Sequence, residues 1–129
     1  MLSEKTLRFV GWLGIAAIGV LSTLPGDARP HLGTDIPGQA EHFLAYFTTS
    51  CVLALGYRKR EHVAPIVLGL IAYASVLEVA QLWIPGRMSR LIDFVASASG
   101  VLAGMGVIEF MRIGLPLWRG TDRNRGCES

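Results

Sequence analysis

Four long stretches without a charged residue limit most strongly how this chain folds. The first covers 9–26, eighteen residues, and the others cover 43–57, 63–77 and 94–108, fifteen residues each. A helix that crosses a bilayer needs roughly 20 mostly apolar residues. The first stretch qualifies by itself, and the others qualify when each helix takes in a polar residue near one end. A long helix in a soluble bundle would show a polar stripe at a period of 3.6 residues, whereas these stretches are apolar on every face.

The sequence therefore predicts an all-α, polytopic membrane protein with four transmembrane helices in an antiparallel bundle. Only 17% of the 129 residues are charged, against about 25% in a typical soluble domain. The net charge of +2 does not indicate a nucleic-acid partner, because the basic residues flank the helices as they do in membrane proteins. We expect one domain over 1–112 and a polar, disordered cytoplasmic tail over 113–129.

Flanking residues set the predicted helix limits. We expect helices at about 7–24, 39–57, 63–84 and 90–112. Pro25-Gly26 ends the first helix and Pro85-Gly86 ends the third. The first helix lacks small residues at the spacing of a signal-peptide cleavage site, so we expect it to stay uncleaved. The link after Pro85-Gly86 is short, which predicts that helices three and four pack as an antiparallel hairpin.

The distribution of Lys and Arg predicts the orientation, because these residues accumulate in short cytoplasmic loops. The side with both termini and the second link carries nine: Lys5, Arg8, Arg58, Lys59, Arg60, Arg112, Arg119, Arg123 and Arg125. The opposite side carries three: Arg29, Arg87 and Arg90. Nine against three places the N- and C-termini in the cytoplasm, with the protein in the bacterial inner membrane. On this side, Glu109 is predicted only to pair with Arg112 three residues later.

Polar residues are concentrated at the other, outer side. The candidate binding residues there are His42, Glu78, Gln81, Arg87, Ser89, Asp93 and Ser97. Glu78 lies deepest among the acids, about 9 Å below Ile84 at 1.5 Å per residue. A charge at that depth costs at least a few kcal/mol. We therefore expect Glu78 to face other helices, a partner or trapped water.

Spacing predicts how helix four faces its neighbours. Asp93 and Ser97 are four residues apart, and Gly100 and Gly104 follow on nearly the same face. The two glycines form a small-xxx-small pair that allows close helix packing. A helix that packs through these glycines turns Asp93 and Ser97 inward, and we expect the Glu78 face of helix three, which includes Gln81, to receive them.

Structural interpretations of the same residues stay open. Asp93 favours a helix N-terminus through the helix dipole, and Glu78 is placed to pair with Arg87 or Arg90. His42 is also typical of an interfacial helix start. The chain shows no catalytic motif, no metal-ligand spacing and no cofactor motif. Its two cysteines lie at different depths, and their spacing is not that of a metal-binding motif.

The outer residues resemble the VanZ-like family of small bacterial membrane proteins over about residues 20–106. The residues that carry the resemblance are His42-Phe43, Tyr46, Glu78-x-x-Gln81, Pro85-x-Arg87, Ser89, Asp93, Gly100 and Gly104. The chain departs from the family pattern twice. Gly38-Gln39 replaces an Asp-Lys pair, which removes a cation, and Ser97 replaces an Asn. The resemblance implies location and fold more than mechanism, together with a weak link to glycopeptide resistance or envelope homeostasis.

Three functions fit these observations. The favoured one is a binding protein whose outer polar group holds a membrane-lipid head group or a lipid-linked envelope precursor, with Arg87 contacting an anionic part. The second is an intramembrane enzyme with Glu78 or Asp93 as general base and His42 as acid. The third is a structural subunit that joins an oligomer or a membrane protein partner.

Overall fold

The computed structural model describes residues 2–25, 38–86 and 89–114. Its elements are α1 (Glu4–Thr23), α2 (Gly38–Gly56), α3 (Val63–Gln81) and α4 (Leu91–Gly114), with a short 3-10 turn at Arg60–His62. The predicted all-α fold with four helices is confirmed for this part of the chain. The predicted tail lies outside the described residues from position 115 onward, as does Arg87.

Three of the helical segments are long and apolar enough to cross a membrane: Glu4–Thr23, Arg60–Gln81 and Leu91–Gly114. The remaining helix, α2, does not reach the hydropathy of a membrane span over its length. It begins with Gly-Gln-Ala-Glu-His and carries Thr-Thr-Ser in its middle. In each of the first two segments, only 17% of the 18 most apolar consecutive residues are buried within the protein. The outward faces of these helices are therefore largely apolar side chains.

The ends of the helices differ from their predicted positions by at most three residues, and α3 begins at Val63 as predicted. The first helix begins three residues early because Ser3 caps it, with its hydroxyl accepting from the Thr6 backbone N–H at 3.2 Å. The third ends at Gln81, three residues early. The next three backbone N–H groups donate to carbonyls three residues back, which tightens the chain ahead of Pro85.

The turn after α3 contains Pro85-Gly86, as the sequence predicts for a helix stop. Gly86 has φ of 75°, a value that costs a residue with a side chain considerably more than glycine. A proline followed by a glycine with positive φ fits the two central positions of a type II turn.

The second helix is the central element of the fold. It contacts α1, α3 and α4, and its contacts with α4 are the most extensive in the molecule. Its buried side chains include polar ones as well as apolar ones: Tyr46, Thr49, Ser50, Leu53 and Ala54. The expectation that all four stretches are apolar on every face is therefore wrong for α2. Thr49 and Ser50 face the neighbouring helices, whereas Thr48 is exposed.

Candidate functional site

Two glycines of α4 lie directly against the backbone of α2. A Cβ added at Gly100 would overlap the carbonyl oxygen of Phe43 and stand 3.1 Å from the amide nitrogen of Phe47. A Cβ at Gly104 would overlap the Ser50 hydroxyl and stand 2.6 Å from the Phe47 carbonyl oxygen. This differs from the sequence prediction, which turned the glycine face toward α3. The small-residue pattern shows that a neighbour comes close, but it does not specify which helix that is.

The same contacts set the relative heights of polar residues on α2 and α4. Gly100 is level with the middle of the segment from Phe43 to Phe47. Because α2 and α4 run in the same direction, moving three residues back along each helix places Ser97 level with His42. Asp93, one turn earlier, is then level with Gly38 at the start of α2. We call this the His42 end of the molecule, and the end where α2 and α4 finish the Arg112 end.

Ser97 is buried and already has a hydrogen-bond partner within α4. Its hydroxyl donates to the Asp93 backbone carbonyl at 3.0 Å. The Asp93 amide in turn donates to the Arg90 carbonyl at 2.9 Å. The Asp93 side chain is half-buried, so its carboxylate is the polar group that the first turn of α4 offers to a ligand.

Glu78 is tied to the chain that leads into α4. The Ser89 hydroxyl lies 2.6 Å from the Glu78 Oε1 atom and 3.1 Å from the Glu78 backbone carbonyl oxygen. A hydroxyl that donates to a carboxylate makes a charge-assisted hydrogen bond. Ser89 therefore joins the last turn of α3 to the start of α4, and it orients one oxygen of the half-buried Glu78 side chain.

Gln81 contacts α1 rather than the other polar residues of the group. Its side-chain Nε2 donates to the Ser22 carbonyl at 3.2 Å, and the side chain is only 2% exposed. Ser22 lies in the last turn of α1, where carbonyl groups lack partners inside the helix. Gln81 thus caps α1, a role that the Glu-x-x-Gln spacing does not reveal.

Two tyrosines within the predicted apolar stretches pack between the helices, Tyr46 in the third turn of α2 and Tyr73 in the middle of α3. Tyr46 is 2% exposed and lies one turn after His42 on α2. The Tyr73 hydroxyl donates to the Ile15 carbonyl of α1 at 2.8 Å. Tyrosines inside uncharged runs were the available signal, since a buried phenol hydroxyl usually requires a partner.

The remaining predicted residues are less tightly placed. His42 is half-buried in the second turn of α2 and interacts with its surroundings, whereas Arg87 lies outside the described residues. Among the described residues, no group of three or more His, Cys, Asp and Glu side chains is arranged to hold a metal ion. At the His42 end of the described chain, Arg90 is the one Lys or Arg against three acids, Glu41, Glu78 and Asp93.

At the opposite end, Arg112 reaches the C-terminus of α2. Its guanidinium donates to the Ala54 carbonyl and, at 3.4 Å, to the Tyr57 carbonyl. The same guanidinium pairs with Glu109 one turn earlier in α4. The predicted Glu109–Arg112 pair is present, and its further role is to aim the arginine at carbonyl groups of α2.

A second arginine serves the same helix end from α1. Arg8 Nε donates to the Gly56 carbonyl at 2.8 Å, and its guanidinium lies 4.6 Å from the centre of the Tyr57 ring. The Tyr57 hydroxyl accepts from the Trp12 indole N–H at 3.2 Å. The Arg112 end is therefore held by arginines from two helices and is positively charged, in contrast to the His42 end.

Comparison of the chain with known protein families, with curated proteins and with solved structures gives no match. The function is therefore inferred from the geometry and charge of the two ends.

Proposed function

We propose that the chain is a polytopic protein of the bacterial inner membrane that binds a lipid head group or a lipid-linked envelope precursor at its His42 end. In this proposal all four helices cross the membrane as an antiparallel bundle, and both termini are cytoplasmic. Membership of the VanZ-like family belongs to the same proposal, through the residues of the hairpin between α3 and α4.

Contacts between helices support the antiparallel arrangement. Gly11 of α1 meets Leu53 of α2, whereas the later Gly14 meets the earlier Thr49, so α1 and α2 run in opposite directions. The Ser89–Glu78 contact joins the end of α3 to the beginning of α4. At 1.5 Å per residue the 19 residues of α2 extend about 28 Å, close to the thickness of about 30 Å of a hydrocarbon core.

The observation that carries the binding proposal is the pair of half-buried acids, Glu78 and Asp93, where α3 ends and α4 begins. Three acids against one Arg at this end of the described chain favour a ligand that presents hydrogen-bond donors. Ammonium and hydroxyl groups of a head group meet that requirement. Arg90, and Arg87 outside the described residues, would contact a phosphate of the same ligand.

Binding of defined lipids to the purified protein tests this function. Native mass spectrometry of detergent-solubilised protein would compare phosphatidylethanolamine, which offers an ammonium, with a lipid-linked disaccharide, which offers hydroxyls. We expect Glu78→Gln and Asp93→Asn each to weaken binding of the true ligand about tenfold, the loss of a hydrogen bond to a charged group, about 1.5 kcal/mol.

The matched control is Glu61→Gln, because Glu61 is an exposed acid at the opposite end. That variant should bind as the wild type does. Unchanged binding by Glu78→Gln and Asp93→Asn would contradict the proposal.

A structural role is the second candidate, and the Ser89–Glu78 hydrogen bond favours it. If this bond only holds the hairpin together, Ser89→Ala and Glu78→Gln will lower stability by similar amounts, and neither will change lipid binding. If Glu78 binds a ligand, Ser89→Ala will lower only the stability of the protein, whereas Glu78→Gln will lower both its stability and its affinity for the lipid.

A further inference from the structure

The link between α2 and α3 presents exposed positive charge at the Arg112 end. Its residues 58–62 read Arg-Lys-Arg-Glu-His, with a net charge of +2 when the histidine is neutral. The side chains of Lys59 and Arg60 are 70% and 77% exposed. These two cations are therefore available to a ligand that approaches along the surface.

The acids near these cations do not neutralise them. Lys59 lies 3.4 Å from Glu61, which is itself 66% exposed, and exposed pairs of this kind are weak. Arg60 lies 3.8 Å from Glu109. Glu109, however, is already paired with the far less exposed Arg112, so Arg60 contributes a surplus charge. His62 also faces Glu61, at 3.9 Å.

Exposed apolar side chains lie on α3, which follows this link, and near the end of α4, whose Glu109 is close to Arg60. Leu68, at the second turn of α3, is 67% exposed, and Phe110, next to Glu109 on α4, is 77% exposed. In an aqueous domain such side chains would be unfavourably placed. Together with the two exposed cations of the link, they supply what a phospholipid requires, charge for the phosphate and apolar surface for the acyl chains.

We propose that Lys59 and Arg60, with the apolar residues Leu68 and Phe110, form a binding site for an anionic phospholipid of the leaflet at the Arg112 end. The site is separate from the polar group at the His42 end, and it rests on the proposed insertion of the chain in a membrane. The phosphate would bind the two cations, and the acyl chains would lie along α3 and α4.

Titration of the purified, full-length protein with dioleoyl phosphatidylglycerol tests the site, with dioleoyl phosphatidylcholine as the neutral reference. Each cation near a membrane surface contributes about fivefold in affinity, so Lys59→Ser with Arg60→Ser should weaken phosphatidylglycerol binding at least about tenfold. Arg60→Lys keeps the charge and should retain most of the affinity. Helix content by circular dichroism should be unchanged, because both side chains are exposed.

Lys5→Ser is the matched control, because Lys5 is an exposed cation at the same end of the molecule, on α1. Its neighbour Glu4 contacts Arg58 rather than Arg60. A local site predicts no change in this variant. An equal loss per cation in Lys5→Ser would overturn the site in favour of a diffuse positive surface. Equal affinity of the wild type for phosphatidylglycerol and phosphatidylcholine would overturn it as well.

Failure here is distinguishable from failure of the proposed head-group function. The serine variants should leave the effects of Glu78→Gln and Asp93→Asn on the His42-end ligand unchanged. Loss of phosphatidylglycerol binding in the Glu78 variant instead would show that both lipids share the His42 end, and it would contradict the separate site.

Discussion

At Gly100 the side chain is a single hydrogen because the Phe43 carbonyl oxygen occupies the space of a Cβ. The atoms in the way belong to the backbone of α2, so they yield only if the two helices separate. Gly106, six residues further along α4, has nothing within 4 Å of its Cβ position. The two glycines on one helix therefore differ in function, although both look alike in the sequence.

Gly100→Ala should destabilise the protein by about 1–3 kcal/mol, the cost of overpacking a tight contact. Gly106→Ala should change stability by less than about 1 kcal/mol and in the stabilising direction, because alanine is the better helix former. Thermal unfolding in the same detergent, followed by circular dichroism, gives both values. Equal effects at the two positions would show that the α2–α4 contact is not as close as described.

Residue-level prediction from sequence succeeds where a residue type has one common use. The small-xxx-small spacing of Gly100 and Gly104 correctly signals a close approach of another helix, but helices two and three are equally valid partners by that rule. Gln81 shows the reverse case. Its position near Glu78 indicates a shared polar site, yet its amide reaches the Ser22 carbonyl, because the partner of a buried amide is decided by packing.

At the scale of whole helices, the C-termini of α1 and α2 each accept side-chain hydrogen bonds from neighbouring helices. Gln81 supplies α1, while Arg8 and Arg112 supply α2. The last four carbonyl groups of any helix need such partners. The helix ends are predictable from the sequence to within three residues, because apolar length, Ser and Pro-Gly signals are local. The capping residues are distant in the sequence from the carbonyls they serve, so no local pattern predicts them.

Arg112→Met should therefore destabilise the protein by about 2–3 kcal/mol, since it removes hydrogen bonds from a charged donor and leaves buried carbonyls without that partner. Arg60→Met is the matched variant, because Arg60 also approaches Glu109 but is 77% exposed. It should cost less than about 1 kcal/mol. Denaturant unfolding in detergent measures the difference, and similar losses in both variants would contradict the capping role of Arg112.

At the scale of the whole molecule, the two ends carry opposite charge. In the described chain the Arg112 end has six Lys and Arg residues and three acids, whereas the His42 end has one Arg and three acids. The separation agrees with the charge rule that predicts cytoplasmic termini. It also explains why two different lipid chemistries are proposed for the two ends. The proposed crossing by α2 is the critical one, because α2 is not among the three described segments that are apolar enough to span a membrane, and it connects these ends.

Thiol labelling from one side of the membrane tests that arrangement. In a Cys51→Ser, Cys127→Ser background, Gly38→Cys and Lys59→Cys place one thiol near each end of α2. Both positions are exposed, and a Cβ at Gly38 has nothing within 4 Å, so neither change should disturb the fold.

A membrane-impermeant maleimide added to intact spheroplasts should label Gly38→Cys, and should label Lys59→Cys only after permeabilisation. Labelling of both without permeabilisation would mean that α2 does not cross the membrane, and the reverse pattern would invert the orientation. Cys127, retained in a Cys51→Ser variant, should be protected as Lys59→Cys is, because the four proposed crossings would return the C-terminus to the side of the link between α2 and α3.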